Sequence, residues 1–312
     1  MRKSSIIFVL FLCGFFCGKT VFAASVSSKS AKHLPENLLL FKKCYPDIFF
    51  EEEWDFQKKD WKLTLFVPKS PKSKEKKSSQ FFWADGRLLP ESEWEKKEEW
   101  WSLFYSYDKT LRDPATFSQE EIERMKKFGS KESQQNTAGS PMFFFDFLYD
   151  SWSESEIEKH IVRTTFLGKK TKIHERIKEP LERVEKRILA LKEKDKDVKA
   201  FLKTLSTADA YFWRTIANTN RKSFHSYGIA IDVLPKRLFG KETYWSWAKD
   251  SRGDKWMLTP LSQRWSPPKA VIDIFESEGF IWGGKWAVWD TMHFEYHPEL
   301  IYWNKIVPLP SE

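Results

Sequence analysis

The chain has 312 residues, and its 16 tryptophans and 27 phenylalanines supply apolar material for one large domain or two modest ones. Its 52 basic residues exceed its 44 acidic residues, giving a net charge of +8 that is compatible with an anionic cell envelope as a target. The chain has no arginine-rich stripe, and with the export signal described next this argues against nucleic acid as a partner.

The first 23 residues have the pattern of a secretory signal peptide. Arg2 and Lys3 precede an apolar run over residues 6–16, and small residues ending at Ala23 offer a cleavage site. The run is too short to cross a bilayer, and no other stretch is long and apolar enough to do so. We therefore expect export to the periplasm or the extracellular cell envelope, with no stable membrane span after cleavage. A retained N-terminal anchor is the alternative.

Cleavage after Ala23 changes both the cysteine count and the charge. It removes Cys13 and Cys17 and leaves Cys44 alone, so the mature chain cannot form an internal disulfide. It also removes three basic residues and no acidic one, which leaves 49 basic against 44 acidic residues and a charge of about +5. The sequence does not indicate the oligomeric state.

Residues 24–153 form an N-terminal accessory region of unknown role. Alternating apolar residues over 61–67 predict a strand, and residues 80–83 predict a second one. The lysine- and serine-rich stretch between them, residues 69–79, predicts a hairpin with a basic loop that either contacts an anionic polymer or is simply solvated. Serines at 118 and 153, each followed three residues later by a glutamate, predict two helices that begin with capping boxes.

The remainder of the chain predicts helices followed by short strands. Apolar residues recur at three- and four-residue steps from Ile173 to Leu191, and Pro180 places the start of that helix near itself. Strand-like composition follows over residues 208–216, 228–234 and 293–296. We predict an α+β fold with helices packed on a small antiparallel sheet, an α/β accessory region before it, and a second domain over residues 154–312.

Two short motifs carry residue types that bind divalent metals. Over residues 228–234 the side chains alternate, so that small residues share a face with Asp232 and leave room for a ligand above it. His225 lies on the turn that leads into this strand, and Asp290 lies three residues before His293. Three protein ligands with one open position are typical of a catalytic zinc site. We interpret the other histidines as satisfied core or surface residues: His33, His160, His174 and His297.

Together, Ser-x-His-x-x-Gly-x-Ala-x-Asp over residues 223–232 and Asp-x-x-His-Phe-Glu over residues 290–295 resemble a known family. This is the zinc D,D-carboxypeptidase and L-alanyl-D-glutamate endopeptidase family, whose members cut peptidoglycan stem peptides and include phage endolysins and vancomycin-resistance dipeptidases. The resemblance covers about residues 172–303. It implies one Zn²⁺ per chain, peptidoglycan peptides as partners, and a zinc peptidase domain over residues 154–312.

The resemblance also implies a role for individual residues. His225, Asp232 and His293 match the zinc ligands, and Asp290 matches the general base that later acts as the acid. Arg214 matches an arginine that binds the substrate carbonyl or the charge that develops on it.

Two further residues match the motifs with weaker roles. Ser223 has a supporting role, and Glu295 either holds a ligand imidazole in the right tautomer or is a plain surface carboxylate. Branches that cut D-Ala-D-Ala typically carry Glu before the histidine and Arg two residues after it, so Asp290 with Glu295 resembles the endopeptidase branch. We expect cleavage of the L-Ala–D-Glu bond, and the alternatives are a D-Ala-D-Ala carboxypeptidase or a non-catalytic zinc-stabilised wall-binding protein.

Overall fold

A computed structural model describes residues 33–130, 132–133, 139–216 and 221–309. The signal-peptide prediction, with Cys13 and Cys17, lies outside the described residues. Helices and strands are mixed along the chain, and all strand pairs in the described parts are antiparallel. None of the described helices is both long enough and apolar enough to cross a membrane.

The strands form three small sheets. The first has the order β1-β2-β3, the second is the hairpin β4-β5, and the third has the order β6-β7-β9-β8. The strand bounds are β1 Phe49–Asp55, β2 Asp60–Pro68, β3 Lys76–Phe82, β4 Ile161–Phe166, β5 Lys169–His174, β6 Leu205–Asp209, β7 Ala230–Pro235, β8 Phe280–Trp282 and β9 His293–Tyr296.

The α-helices surround these sheets and are linked by short 3-10 turns. Those with described bounds are α1 Glu36–Cys44, α2 Glu91–Trp94, α3 Gln119–Phe128, α4 Phe143–Leu148, α5 Glu154–Ile157, α6 Lys178–Leu191, α7 Lys196–Thr204, α8 Trp245–Arg252, α9 Lys269–Ser277 and α10 Pro298–Trp303.

The predicted N-terminal hairpin is present, with a shorter loop than expected. Strand β2 pairs with β3 in the register Leu63↔Phe81. Strand β3 begins at Lys76, so the last residues of the predicted loop belong to the sheet. The backbone pairing continues to Pro68↔Lys76, and Lys77 Nζ lies 2.5 Å from Asp150 Oδ2. Strand β1, which was not predicted, pairs with the other edge of β2.

The three predicted helices all begin near the expected residues, but one of them is much shorter than its apolar pattern. Ser118 and Glu121 form the full capping box at the start of α3. Ser153 also caps a helix, but α5 ends at Ile157, and Ile161 opens strand β4 instead of continuing it. Helix α6 begins two residues before Pro180 as expected. Ile173, the first residue of the apolar pattern, lies in β5 with its side chain in the core, where a strand can mimic one helical step.

The largest of three hydrophobic clusters among the described residues contains side chains from both parts of the chain. It includes Phe41 of α1, Val184 of α6 and Phe294 of β9. The ring of Phe145, on α4, packs edge-on against that of Phe224, with centroids 5.3 Å apart. Packing is therefore continuous across the boundary that we placed at residue 154, and the division into two domains stays a prediction.

Candidate metal centre

Strands β7 and β9 place an aspartate beside a histidine. They pair in the register Asp232↔His293, and side chains of directly opposite residues lie on the same face of a sheet. Asp232 Oδ1 lies 2.7 Å from His293 Nδ1. The alternation works as predicted on the other face, because Ile231 and Phe294 are buried in the core. The two polar side chains are thus presented above a firmly packed sheet.

A tight turn brings the second histidine to the same place. His225 lies in the 3-10 turn Phe224–Tyr227, whose first backbone group is capped when Ser223 Oγ accepts from His225 N. Gly228 ends the turn at φ +64°, and a Cβ there would lie 2.7 Å from the backbone nitrogen of His174. Only glycine meets both demands, since other residues are strained at this φ and would clash. The turn leaves His225 Nε2 3.3 Å from Asp232 Oδ2.

Hydrogen bonds orient both imidazoles. His225 Nδ1 lies 2.5 Å from the carbonyl oxygen of Ala210, so this nitrogen carries the proton and Nε2 has a free lone pair. His293 has a carboxylate oxygen at each ring nitrogen, since its Nε2 lies 2.8 Å from Glu295 Oε1 and its Nδ1 lies 2.7 Å from Asp232 Oδ1. With a metal bound at Nδ1, the proton of His293 would stay on Nε2, where Glu295 accepts it.

These three side chains fit a metal ion. The ligand atoms of His225, Asp232 and His293 all lie within 4.8 Å of one another. His225 Nε2 is buried and has no hydrogen-bond partner among the described residues, as expected of an atom positioned for a ligand. Two imidazoles and one carboxylate form a donor set that zinc binds in catalytic sites.

The electrostatics of the cluster favour a cation. Burial would raise the pKa of Asp232, but the imidazoles of His293 and His225 outweigh it and hold that pKa well below the usual range. Burial would lower the pKa of His293, but Asp232 and Glu295 raise it well above its usual value. The buried carboxylates thus stabilise positive charge at this point, which a divalent metal would supply.

Asp290 lies beside the cluster and is not one of its three members. Burial raises the pKa of its carboxyl group to about 7, with further contributions from Asp232 and Glu295 that exceed the opposing effects of His293 and a hydrogen bond from the Met292 backbone. Its Oδ1 is buried without a hydrogen-bond partner among the described residues. A carboxyl group with a pKa near neutrality is suited to proton transfer.

Arg214 and Ser223 are hydrogen-bonded to each other through their backbones, next to the turn that carries His225. Arg214 is exposed and lines a cavity of about 1080 Å³ that also reaches His225 and Asp232. Its backbone is fixed on both sides, because Arg214 N donates to Ser226 Oγ at 2.8 Å and Ser223 N donates to Arg214 O at 3.1 Å. Ser226, which the sequence analysis did not single out, therefore positions the arginine.

Glu295 belongs to a buried chain of side chains rather than to the surface. Its Oε1 accepts from His293 Nε2 at 2.8 Å, and its Oε2 lies 3.4 Å from His297 Nε2. His297 Nδ1 lies 2.8 Å from Glu299 Oε1, and Tyr45 donates to Glu299 Oε2 at 2.7 Å. We name these five residues the buried relay. His297, interpreted as a satisfied core histidine, has that environment, yet it also connects the metal centre with helix α1.

The remaining histidines lie apart from the cluster. His174 is buried and accepts a hydrogen bond from Arg176 N, which caps the turn after β5. His160 Nδ1 lies 2.8 Å from Glu175 Oε1, and His33 is exposed. The spacing of the two motifs was the signal that distinguished the clustered histidines from these. No comparable signal pointed to Tyr45 or Glu299, because the sequence does not show which distant residues meet.

Comparison with known proteins gives two family matches and no close relative. Residues 217–296 match the family model described as D-alanyl-D-alanine carboxypeptidase. Residues 37–105 match a domain of unknown function, DUF8518. No curated protein and no solved structure matches the chain. The first match contains His225, Asp232, Asp290 and His293, whereas Arg214 precedes it.

Proposed function

We propose that the chain is an exported zinc peptidase of peptidoglycan stem peptides, because residues 217–296 match the family model described as D-alanyl-D-alanine carboxypeptidase. The observation that carries the proposal is the cluster of His225, Asp232 and His293, whose ligand atoms all lie within 4.8 Å of one another. We further propose the L-Ala–D-Glu bond as the bond cleaved, because Asp290 and Glu295 occupy the positions that differ between branches of the family.

The three ligands and their partners prepare the site before substrate arrives. When bound, zinc would act as a Lewis acid towards the scissile carbonyl and lower the pKa of a water molecule to about 7. His225 is held in its tautomer by the carbonyl of Ala210, and His293 is held by Glu295. Such partners matter because they fix both the lone-pair direction and the basicity of a ligand imidazole.

Asp290 would transfer the proton. As a carboxylate it takes a proton from the attacking water, and as the acid it returns that proton to the leaving amine. Its buried position and its pKa of about 7 support both states near neutral pH. Arg214, at the rim of the same cavity, would donate hydrogen bonds to the oxygen on which negative charge develops, an effect typically of about 3–4 kcal/mol per well-placed donor.

A D-Ala-D-Ala carboxypeptidase is the second candidate, and the description of the matching family favours it. The two candidates share the metal centre and the proton transfer, and they differ in which end of the peptide occupies the cavity. A non-catalytic wall-binding protein is the third, although such a protein has no need of a proton-transfer group at Asp290.

The proposal is tested by measuring zinc content together with digestion of purified peptidoglycan, for the wild type and for Asp290→Ala. We expect about one zinc per chain in both proteins, and new L-Ala and D-Glu termini, identified by mass, only with the wild type. Release of terminal D-Ala would assign the carboxypeptidase. Zinc without any cleavage would favour the binding protein, and loss of zinc from Asp290→Ala would make Asp290 a ligand and overturn its role as the base.

A further inference from the structure

The hairpin β4–β5 presents a row of cations on one face. Arg163 lies directly opposite Lys172, and Thr165 lies opposite Lys170. All four side chains are exposed, whereas Thr171, between the two lysines, is buried and Thr164 is half-buried. We name the exposed row the cationic hairpin face.

This face and the metal centre border one cavity. The walls of the cavity, of about 1080 Å³, include Arg163, Lys170 and Lys172 as well as His225 and Asp232. The hairpin is fixed in place because Tyr211 N donates to Lys172 O at 2.8 Å and His174 N donates to Gly228 O at 2.9 Å, next to the turn that carries His225. A ligand in the cavity can therefore contact the hairpin and the metal centre at once.

The charges on this face lack acidic partners. Among the described residues, no carboxylate forms an ion pair with Arg163, Lys170 or Lys172, and Lys172 Nζ lies 5.1 Å from the centroid of the Tyr211 ring. Like charges directly opposite each other destabilise a sheet. The pairing of Arg163 with Lys172 therefore costs stability in the free protein, and an anion bound between them would remove that cost.

We propose that the cationic hairpin face binds carboxylates of an acidic peptide substrate, an inference that rests on the proposed peptidase function. The cross-strand pairs at Arg163 and at Thr165 are two residues apart along β4, which corresponds to about 7 Å. The face thus receives carboxylates at about that spacing, with Arg163 able to bind one in bidentate geometry. The hairpin lies outside the family match at residues 217–296, so this recognition belongs to this chain's own upstream part.

Binding is measured by calorimetry with zinc-loaded Asp290→Asn protein, which does not consume the ligand. The probes are L-Ala-γ-D-Glu-L-Lys-D-Ala and the same peptide with both carboxyl groups amidated. We expect the acidic peptide to bind at least tenfold more tightly, and the added substitutions Arg163→Met and Lys172→Met to remove most of that difference without changing binding of the amide.

The matched control removes the same charge elsewhere. Lys192 and Lys196 are exposed and do not line the cavity, so Lys192→Met with Lys196→Met should leave both affinities within about twofold. Thermal unfolding of the hairpin variant should be unchanged or later, because a like-charge pair is relieved. Equal affinity of the parent for acid and amide, no binding of either, or no effect of the hairpin substitutions would each overturn the proposal.

Cleavage assays separate this inference from the function on which it rests. In the active protein, the hairpin substitutions should raise KM for the acidic peptide about tenfold with kcat unchanged. A protein that binds the acidic peptide through the hairpin and cleaves nothing would refute the peptidase and retain the binding face. A protein that cleaves the acidic peptide and its amide equally, before and after the substitutions, would refute the binding face and retain the peptidase.

Discussion

The hydroxyl group of Tyr45 donates a hydrogen bond to Glu299 Oε2 at 2.7 Å, across 254 positions of sequence. Glu299 is buried and holds His297 with its other oxygen, 2.8 Å from Nδ1. Through Glu295 the relay reaches His293, a member of the metal centre. The N-terminal region, for which the sequence indicated no role, thus supplies the outermost group of a network that ends at a side chain of the candidate metal centre.

Tyr45→Phe is expected to destabilise the protein by about 1–2 kcal/mol, because it leaves a buried carboxylate oxygen without its donor. Urea denaturation of the wild type and the variant measures the difference. Tyr302→Phe is the matched control, since no hydrogen bond of that hydroxyl group is found among the described residues, and it should have little effect. Equal destabilisation by both substitutions would contradict the role of the Tyr45 hydroxyl.

Glu295→Ala is expected to lower zinc affinity by about 10- to 100-fold, because His293 loses the acceptor that fixes its tautomer and orientation. Competition against a fluorescent chelator measures the affinity directly, without a need for activity. Glu193→Ala, which removes an exposed carboxylate paired with Lys199, is the control and should bind zinc as the wild type does. Unchanged affinity of Glu295→Ala would remove Glu295 from the metal centre.

The stability of the protein should fall between about pH 6.5 and pH 9. Burial opposes protonation of His297, but Glu299 and Glu295 outweigh it and raise the pKa of the imidazole to about 9. A pKa raised by folding stabilises the folded state fully below the unfolded value of about 6.5, and this contribution is lost as the pH rises through the folded value. The contribution is roughly 3 kcal/mol at most.

Chemical denaturation of the zinc-loaded protein across this range tests the titration of His297. The difference in unfolding free energy between the wild type and His297→Gln should be largest at pH 6 and decline towards pH 9.5. A difference that is constant with pH would mean that His297 stays neutral in the folded protein.

Gly228→Ala is expected to cost more than about 2 kcal/mol and to lower zinc affinity. The alanine would be strained at φ +64°, and its Cβ would lie 2.7 Å from the backbone nitrogen of His174. Relief of that contact moves the turn that carries His225. Gly168→Ala is the control, since φ is also positive there but nothing lies within 4 Å of the added Cβ, so only the strain remains.

Local patterns predicted those parts of the structure that local interactions decide. The capping box at Ser118 and the alternation around Asp232 depend on neighbours within a few residues, and both patterns appear in the structure. The motif spacing likewise singled out His225, Asp232 and His293, which the fold brings together.

The failures have a common physical cause. Ile173 matched a helical step, yet its strand is selected by pairing with Val162 in β4. The buried relay depends on Tyr45 meeting Glu299, a contact that only the packing of α1 against α10 creates. Interactions between distant segments produce no periodic pattern in the sequence, so neither the strand at Ile173 nor the contact between Tyr45 and Glu299 could be predicted from it.

The three members of the metal centre differ in how far apart they lie along the chain. His225 and Asp232 are seven positions apart and are joined by one turn, so this pair can meet early in folding. His293 follows 61 positions after Asp232 and joins them only when β9 has paired with β7. A chain in which β9 has not yet paired with β7 therefore presents only two of the three side chains that could hold a metal.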